Sequence, residues 1–79
     1  MNTIAEQWAL FAALVMPKDA PPVQQWEMRR AFYAGAEAMQ RLQYAATGPG
    51  VSEDAAVAMM EGWHDGCRRF AQQVSQGLA

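Results

Sequence analysis

The chain predicts an all-α fold, a three-helix bundle built on an antiparallel hairpin of helices 2 and 3 and assembled as a homo-oligomer. Apolar residues recur every three or four positions along three segments, as they do on one face of an amphipathic helix. Breakers at residues 17–22 and 47–51 separate these segments. The 79 residues are 52% hydrophobic and 18% charged, which is more apolar material than one small core hides, so self-association is expected.

Helix 1 is expected at about residues 3–16, in a single helical domain that spans residues 1–79. Thr3 and Glu6 have the spacing of a capping box, in which each side chain satisfies a backbone donor at the start of the helix. Proline disfavours the α conformation of the preceding residue, so Pro17 ends this helix. Its main apolar face consists of Ile4, Trp8, Phe11 and Val15.

Helix 2 is expected at about residues 22–46, where Pro21 and Pro22 suit the first turn. Gly35 in its middle costs about 1 kcal/mol relative to alanine, which predicts that something packs closely there. One stripe is expected to form the core against helices 1 and 3, and it consists of Met28, Ala31, Phe32, Gly35, Met39, Leu42 and Ala46.

Helix 3 is expected at about residues 52–76, with Ser52 as its N-cap. Before it, Gly48 is placed to take the left-handed conformation that ends helix 2. Cys67 falls in the apolar stripe, where a buried structural cysteine is the common case. The stripe consists of Ala56, Met59, Met60, Trp63, Gly66, Cys67, Phe70 and Val74.

The back of helix 2 carries aromatic and arginine side chains instead of ordinary solvated charges. Tyrosine and tryptophan stack on nucleobases, and arginine holds a phosphate in a fork, so these residues favour a nucleotide ligand. The same residue types are enriched at protein–protein interfaces, including the seams of homo-oligomers. The two interpretations merge if an oligomer seam builds the pocket. The predicted ligand-binding residues are Trp26, Arg29, Arg30, Tyr33 and Tyr44.

Charge and motif spacing argue against several other functions. A net charge of −2 gives no global basic field for a nucleic acid polymer. Glu61 and His64 have a metal-ligand spacing, but Glu61 points away from the apolar face, and His64 beside Cys67 does not establish a catalytic dyad. We therefore expect no enzyme activity, catalytic residue, metal site or cofactor. The apolar run Trp8–Met16 is too short to span a bilayer, which favours a cytoplasmic protein without a membrane partner.

The first half of the chain resembles a known group of proteins. Its most specific motif is Met-Arg-x-Ala-Phe-x-x-Gly at residues 28–35, preceded by Trp8, Pro17 and the segment Ala20–Gln24. Together these residues look like a largely uncharacterised family of small α-helical proteins of tailed bacteriophages. The resemblance implies a phage origin and a role in the cytoplasm of the infected bacterial host.

Small helical phage proteins that act inside the host often counter its defences, and this analogy of size and setting frames three hypotheses. The first is a counter-defence sponge that sequesters a cyclic nucleotide or an ADP-ribose-derived signal in pockets at a homo-oligomer interface. The second is an inhibitor or adaptor that binds a host defence protein. The third is a structural phage accessory bundle.

Overall fold

A computed structural model describes residues 2–79 and contains α1 (Ile4–Val15), α2 (Pro22–Ala46) and α3 (Glu53–Ser75). No strand occurs among these residues, so the all-α prediction is confirmed. The ends of α1 and α3 lie one residue inside the expected ones. The residues expected at these ends are the helix caps, and Thr3, Met16 and Ser52 among them have an extended backbone. The chain divides into two compact units, one ending at Leu42 and one from Gln43 to Ala79.

The first unit begins with the predicted capping box. The Glu6 backbone N–H donates to the Thr3 hydroxyl at 3.1 Å, and the Thr3 backbone N–H donates to the Glu6 carboxylate at 3.1 Å. At the other end, Met16 takes an extended conformation before Pro17, as expected for a residue that precedes proline. Local chemistry therefore determines both ends of α1.

The connector between α1 and α2 is held by hydrogen bonds near Ala20, which is only 8% exposed. Its backbone N–H donates to the Pro17 carbonyl at 3.1 Å, which closes a turn. The Gln25 side-chain amide then donates to the Ala20 carbonyl at 2.8 Å. These bonds attach the connector to the first turn of α2.

Three aromatic rings join α1 to α2. The ring centroid of Phe32 lies 5.5 Å from that of Trp8 and 5.3 Å from that of Phe11. The Trp8 and Phe11 centroids are 6.0 Å apart, within the range in which offset aromatic pairs attract each other. All three side chains are half-buried, so this cluster is the centre of the first unit.

The expected core face of α2 is confirmed only in part. Met28 and Phe32 are half-buried and Ala46 is buried, but Met39 and Leu42 are 38% and 43% exposed. The 12 residues of α1 span about 18 Å, whereas the 25 residues of α2 span about 37 Å, so α1 is too short to cover the whole face. The prediction was wrong for Met39 and Leu42.

The close contact expected at Gly35 is also missing within the described chain. A Cβ atom placed on this glycine meets no neighbouring atom within 4 Å. The packing explanation for a glycine at this position is therefore wrong for the single chain.

The second unit contains the turn between α2 and α3. The Val51 backbone N–H donates to the Gly48 carbonyl at 3.3 Å, and Gly50 has φ +82°. Proline at the second position and a positive-φ glycine at the third are the features of a type II turn. The left-handed conformation therefore belongs to Gly50, and its assignment to Gly48 was wrong.

α3 is capped at both ends. The Ser52 hydroxyl accepts a backbone N–H of the first turn at 3.1 Å, as predicted. At the other end Gly77 has φ +74°. The Leu78 N–H donates to the Gln73 carbonyl at 2.9 Å, and the Gly77 N–H donates to the Val74 carbonyl at 3.1 Å. This is a Schellman motif, which explains why α3 stops here.

The apolar stripe of α3 is largely uncovered in the single chain. Ala56 and Trp63 are half-buried, but Phe70 is 59% exposed, and Cys67 is an exposed free thiol. The expectation that Cys67 is buried was wrong, because periodicity identifies an apolar face without identifying what covers it.

Candidate functional site

Four side chains of α2 line an open cleft of about 610 Å³, which we call the arginine cleft. Positions three, four and seven residues apart lie on one face of an α-helix, so two consecutive turns are enough to build it. The lining residues are Trp26, Arg29, Arg30 and Tyr33.

The two aromatic residues of the cleft differ in how firmly they are held. Tyr33 is half-buried, and its ring lies edge-on to Phe32 with centroids 6.2 Å apart. The Arg29 guanidinium lies 5.6 Å from the centroid of the Tyr33 ring, a cation–π distance. Trp26 is 60% exposed. Tyr33 therefore connects the cleft to the aromatic cluster of the first unit, while Trp26 presents most of its indole to solvent.

The positive charges of the cleft are not neutralised by carboxylates of the described chain. Within residues 2–79 the structure shows an ion pair between Arg41 and Glu37, 2.6 Å apart and further along α2. Neither Arg29 nor Arg30 forms an ion pair with a carboxylate of these residues. Guanidinium groups present planar forks of donors that match phosphate or carboxylate oxygens. The cleft therefore combines two available anion-binding forks with two aromatic rings.

The structure brings together four of the five predicted ligand-binding residues. Tyr44 lies outside the arginine cleft and is 69% exposed. It follows Tyr33 by eleven residues, about 16 Å along the helix axis. Tyr44 lies on the same side of α2 as the cleft residues but about three turns further along the helix. Its role in ligand binding therefore stays a prediction.

A second, apolar hollow of about 310 Å³ lies beside the aromatic cluster and is lined by Phe11, Met28, Ala31 and Phe32. The sequence predicted these residues as parts of the core, and their periodicity does not indicate a hollow. The feature of the sequence that could have predicted the hollow is the small side chain of Ala31 between larger neighbours. Such a surface suits an apolar side chain of a partner better than a charged ligand.

Two further properties concern the described residues. No three His, Cys, Asp or Glu side chains within residues 2–79 are grouped in a way that could hold a metal ion. No helix in this part of the chain has the length and apolar character needed to cross a bilayer.

No family model matches the chain, and no curated protein or solved structure is significantly similar to it. The residues of the chain itself are therefore the basis for inferring its function.

Proposed function

We propose that this protein is a non-catalytic binding protein that sequesters a small nucleotide-type ligand at interfaces between copies of the chain. The observation that carries the proposal is the arginine cleft, in which two unneutralised guanidinium groups lie beside two aromatic rings. Arg29 and Arg30 hold phosphate oxygens in this proposal, and Trp26 and Tyr33 stack on the bases.

The open form of the cleft supports its placement at an interface. Well-formed pockets bury most of a small ligand's surface, whereas a cleft on one face of a single helix covers only one side of it. A second copy of the chain supplies the other side. Sequestration of a scarce signal requires tight binding, which an enclosed site provides more readily than an open one.

We further propose that the ligand is a cyclic nucleotide or an ADP-ribose-derived signal of a bacterial defence system, and that the protein is a phage counter-defence sponge. The support is the resemblance of residues 28–35 to the phage family motif, together with a cleft that suits bases and phosphates. In this proposal the protein acts in the cytoplasm of the infected host.

A second candidate is an inhibitor or adaptor that binds a host defence protein. The observation that favours it is the apolar hollow beside the aromatic cluster, which suits a side chain of a protein partner. The third hypothesis, a structural accessory bundle, requires no ligand.

Native mass spectrometry with a panel of cyclic dinucleotides, cyclic trinucleotides and ADP-ribose derivatives tests the leading proposal. We expect an oligomer that retains at least one of these compounds with a defined stoichiometry. A monomer that binds none of them overturns the sponge proposal.

Two variants, Arg30→Ala and Tyr33→Ala, locate the site. Both are expected to lose the ligand, whereas the control Arg69→Ala, which removes an arginine of α3, retains it. If the two cleft variants lose self-association but keep the ligand, this face of α2 is a subunit seam and not the binding site.

A further inference from the structure

α3 carries a heptad pattern that binding at the arginine cleft does not explain. Six uncharged residues alternate at intervals of four and three over about 27 Å of helix. A mean spacing of 3.5 residues is the pattern of a and d positions along a coiled-coil seam. We call this surface the heptad face, and it consists of Ala56, Met60, Trp63, Cys67, Phe70 and Val74.

Most of the heptad face is uncovered in the single chain. Met60, Phe70 and Val74 are 51%, 59% and 50% exposed, and Cys67 is exposed as well. Only Ala20 and Ala46 are buried among residues 2–79. A helix whose apolar seam remains open to water normally packs it against another element.

A second copy of the chain suits the heptad face. Four of its six side chains are exposed, and a two-stranded coiled coil covers such an uncharged seam of a and d positions with the same seam of a partner helix. We propose that the heptad face pairs with the same face of a second copy, as an antiparallel coiled coil that forms a two-fold dimer.

The sizes of the side chains favour the antiparallel alignment. In one register every layer combines residues of different volume, as interdigitating packing requires. A parallel in-register pair instead places Trp63 against Trp63 and Ala56 against Ala56, which crowds one layer and leaves a gap in another. The antiparallel layers are Ala56 with Val74, Met60 with Phe70, and Trp63 with Cys67.

The distribution of charge along α3 favours the same alignment. Its first half carries Glu53, Asp54 and Glu61. Its second half carries Arg68 and Arg69, with one acidic residue, Asp65, next to the midpoint. An antiparallel pair sets each acidic half beside a basic half and opposes the two helix dipoles. A parallel pair sets like charges side by side.

Gly66 gives an additional reason to propose that a second copy of α3 packs against the first. Glycine inside a helix costs about 0.5–1 kcal/mol relative to alanine, yet a Cβ atom placed on Gly66 meets nothing within 4 Å in the described chain. In the antiparallel register the two copies of Gly66 flank the heptad faces near the two-fold axis. The missing side chain then allows the two helices to approach closely.

Disulfide cross-linking between two variants tests the alignment, with Cys67→Ser in both to remove the native thiol. One variant carries Ala56→Cys and the other Val74→Cys. The antiparallel register brings these two positions into one layer, at a distance that a disulfide spans. We expect the mixture to form a covalent dimer under mild oxidation and neither variant to do so alone. Covalent dimers of either variant alone overturn the antiparallel register, and the absence of any cross-link overturns the proposed pairing of α3.

A charge placed in the seam tests whether the heptad face holds the dimer. Phe70→Glu is expected to shift the ligand-free protein to a monomer in analytical ultracentrifugation, with its helical circular dichroism signal retained. The control Ala58→Glu adds the same charge on the opposite side of α3 and is expected to remain dimeric. A dimeric Phe70→Glu protein overturns the proposal. No ligand is present, so failure here differs from failure of the proposed nucleotide binding.

Discussion

The arginine cleft of α2 and the heptad face of α3 each contain a largely exposed ring but differ in chemistry. Trp26 in the cleft is 60% exposed and Phe70 on the heptad face is 59% exposed. The cleft combines its rings with two guanidinium groups, whereas the heptad face contains no charged side chain. Guanidinium groups beside rings suit an anionic ligand, whereas an uncharged apolar face suits a second apolar helix.

The two surfaces also differ in how a bound partner or ligand would contribute to the stability of the folded protein. A chain of 79 residues buries only part of its apolar surface by itself, so pairing of the heptad face is expected to contribute to the stability of the folded protein. A ligand in the arginine cleft stabilises the fold only by mass action. The heptad face is therefore proposed to be constitutively paired, and the cleft to be filled only when its ligand is present.

The largest expected effect separates the two surfaces directly. The double variant Arg29→Ala/Arg30→Ala is expected to lose ligand affinity by about 100-fold or more in isothermal titration calorimetry, because hydrogen bonds to charged groups contribute about 1.5–3 kcal/mol each. Its dimerisation is expected to be unchanged. The control Lys18→Ala/Arg41→Ala removes the same charge from exposed positions outside the cleft and α3, and an equal loss of affinity there would show that net charge, not the cleft, holds the ligand.

The aromatic cluster provides the next comparison. Phe32→Ala is expected to lower the free energy of unfolding by about 2–3 kcal/mol, less than for a fully buried ring because Phe32 is half-buried. Urea unfolding at low and high protein concentration measures this loss, which is expected to be the same at both. Phe70→Ala on the heptad face is expected to be destabilising only at concentrations where the protein is dimeric. If the loss of unfolding free energy in Phe32→Ala disappears at low protein concentration, the Phe32 ring also lies in the dimer interface.

The ends of the helices could be predicted from the sequence because caps are local. The Thr3 and Glu6 pair, Pro17 and Ser52 each act within one turn of chain, so their effects follow from spacing alone. The positive φ of Gly50 was missed because the prediction treated Gly48 as a helix cap and overlooked the Gly-Pro-Gly turn.

The exposed fractions could not be predicted in the same way. Periodicity predicts only the directions of Met39, Leu42 and Cys67 around their helices, and all three are exposed because burial depends on what packs there. The arginine cleft was predictable because its residues are neighbours on one helix. Tyr44 lies outside the cleft, since periodicity gives a direction around the helix and no distance along it, and its role in ligand binding stays a prediction.

The turn before α3 offers a change that affects stability and leaves both surfaces intact. Gly50→Ala forces a residue with a Cβ atom to adopt φ +82° and is expected to cost about 1–2 kcal/mol. Gly48→Ala is expected to change stability by less than about 0.5 kcal/mol, because its Cβ atom would lie 3.5 Å from two carbonyl oxygens, an ordinary contact. Thermal unfolding at one protein concentration measures both. Equal losses would contradict the assignment of the left-handed conformation to Gly50.

The smallest effect tests the heptad face with two glycines of the same helix. A Cβ atom meets nothing within 4 Å at Gly62 or at Gly66 in the described chain, so alanine at either position improves helix propensity by about 0.5–1 kcal/mol. Gly62 lies away from the seam, and its variant is expected to be more stable with unchanged dimerisation.

Gly66→Ala is expected to gain the same helix propensity but to weaken dimerisation several-fold in sedimentation equilibrium, because its methyl groups separate the two copies of α3 near the two-fold axis. Equal dimer dissociation constants for Gly62→Ala and Gly66→Ala would contradict close approach at this point. Both glycines lie inside the same helix, so the difference between the two variants is expected to report on which side of α3 the second copy occupies. The comparison of Gly62 with Gly66 therefore tests whether a second copy packs against this side of α3.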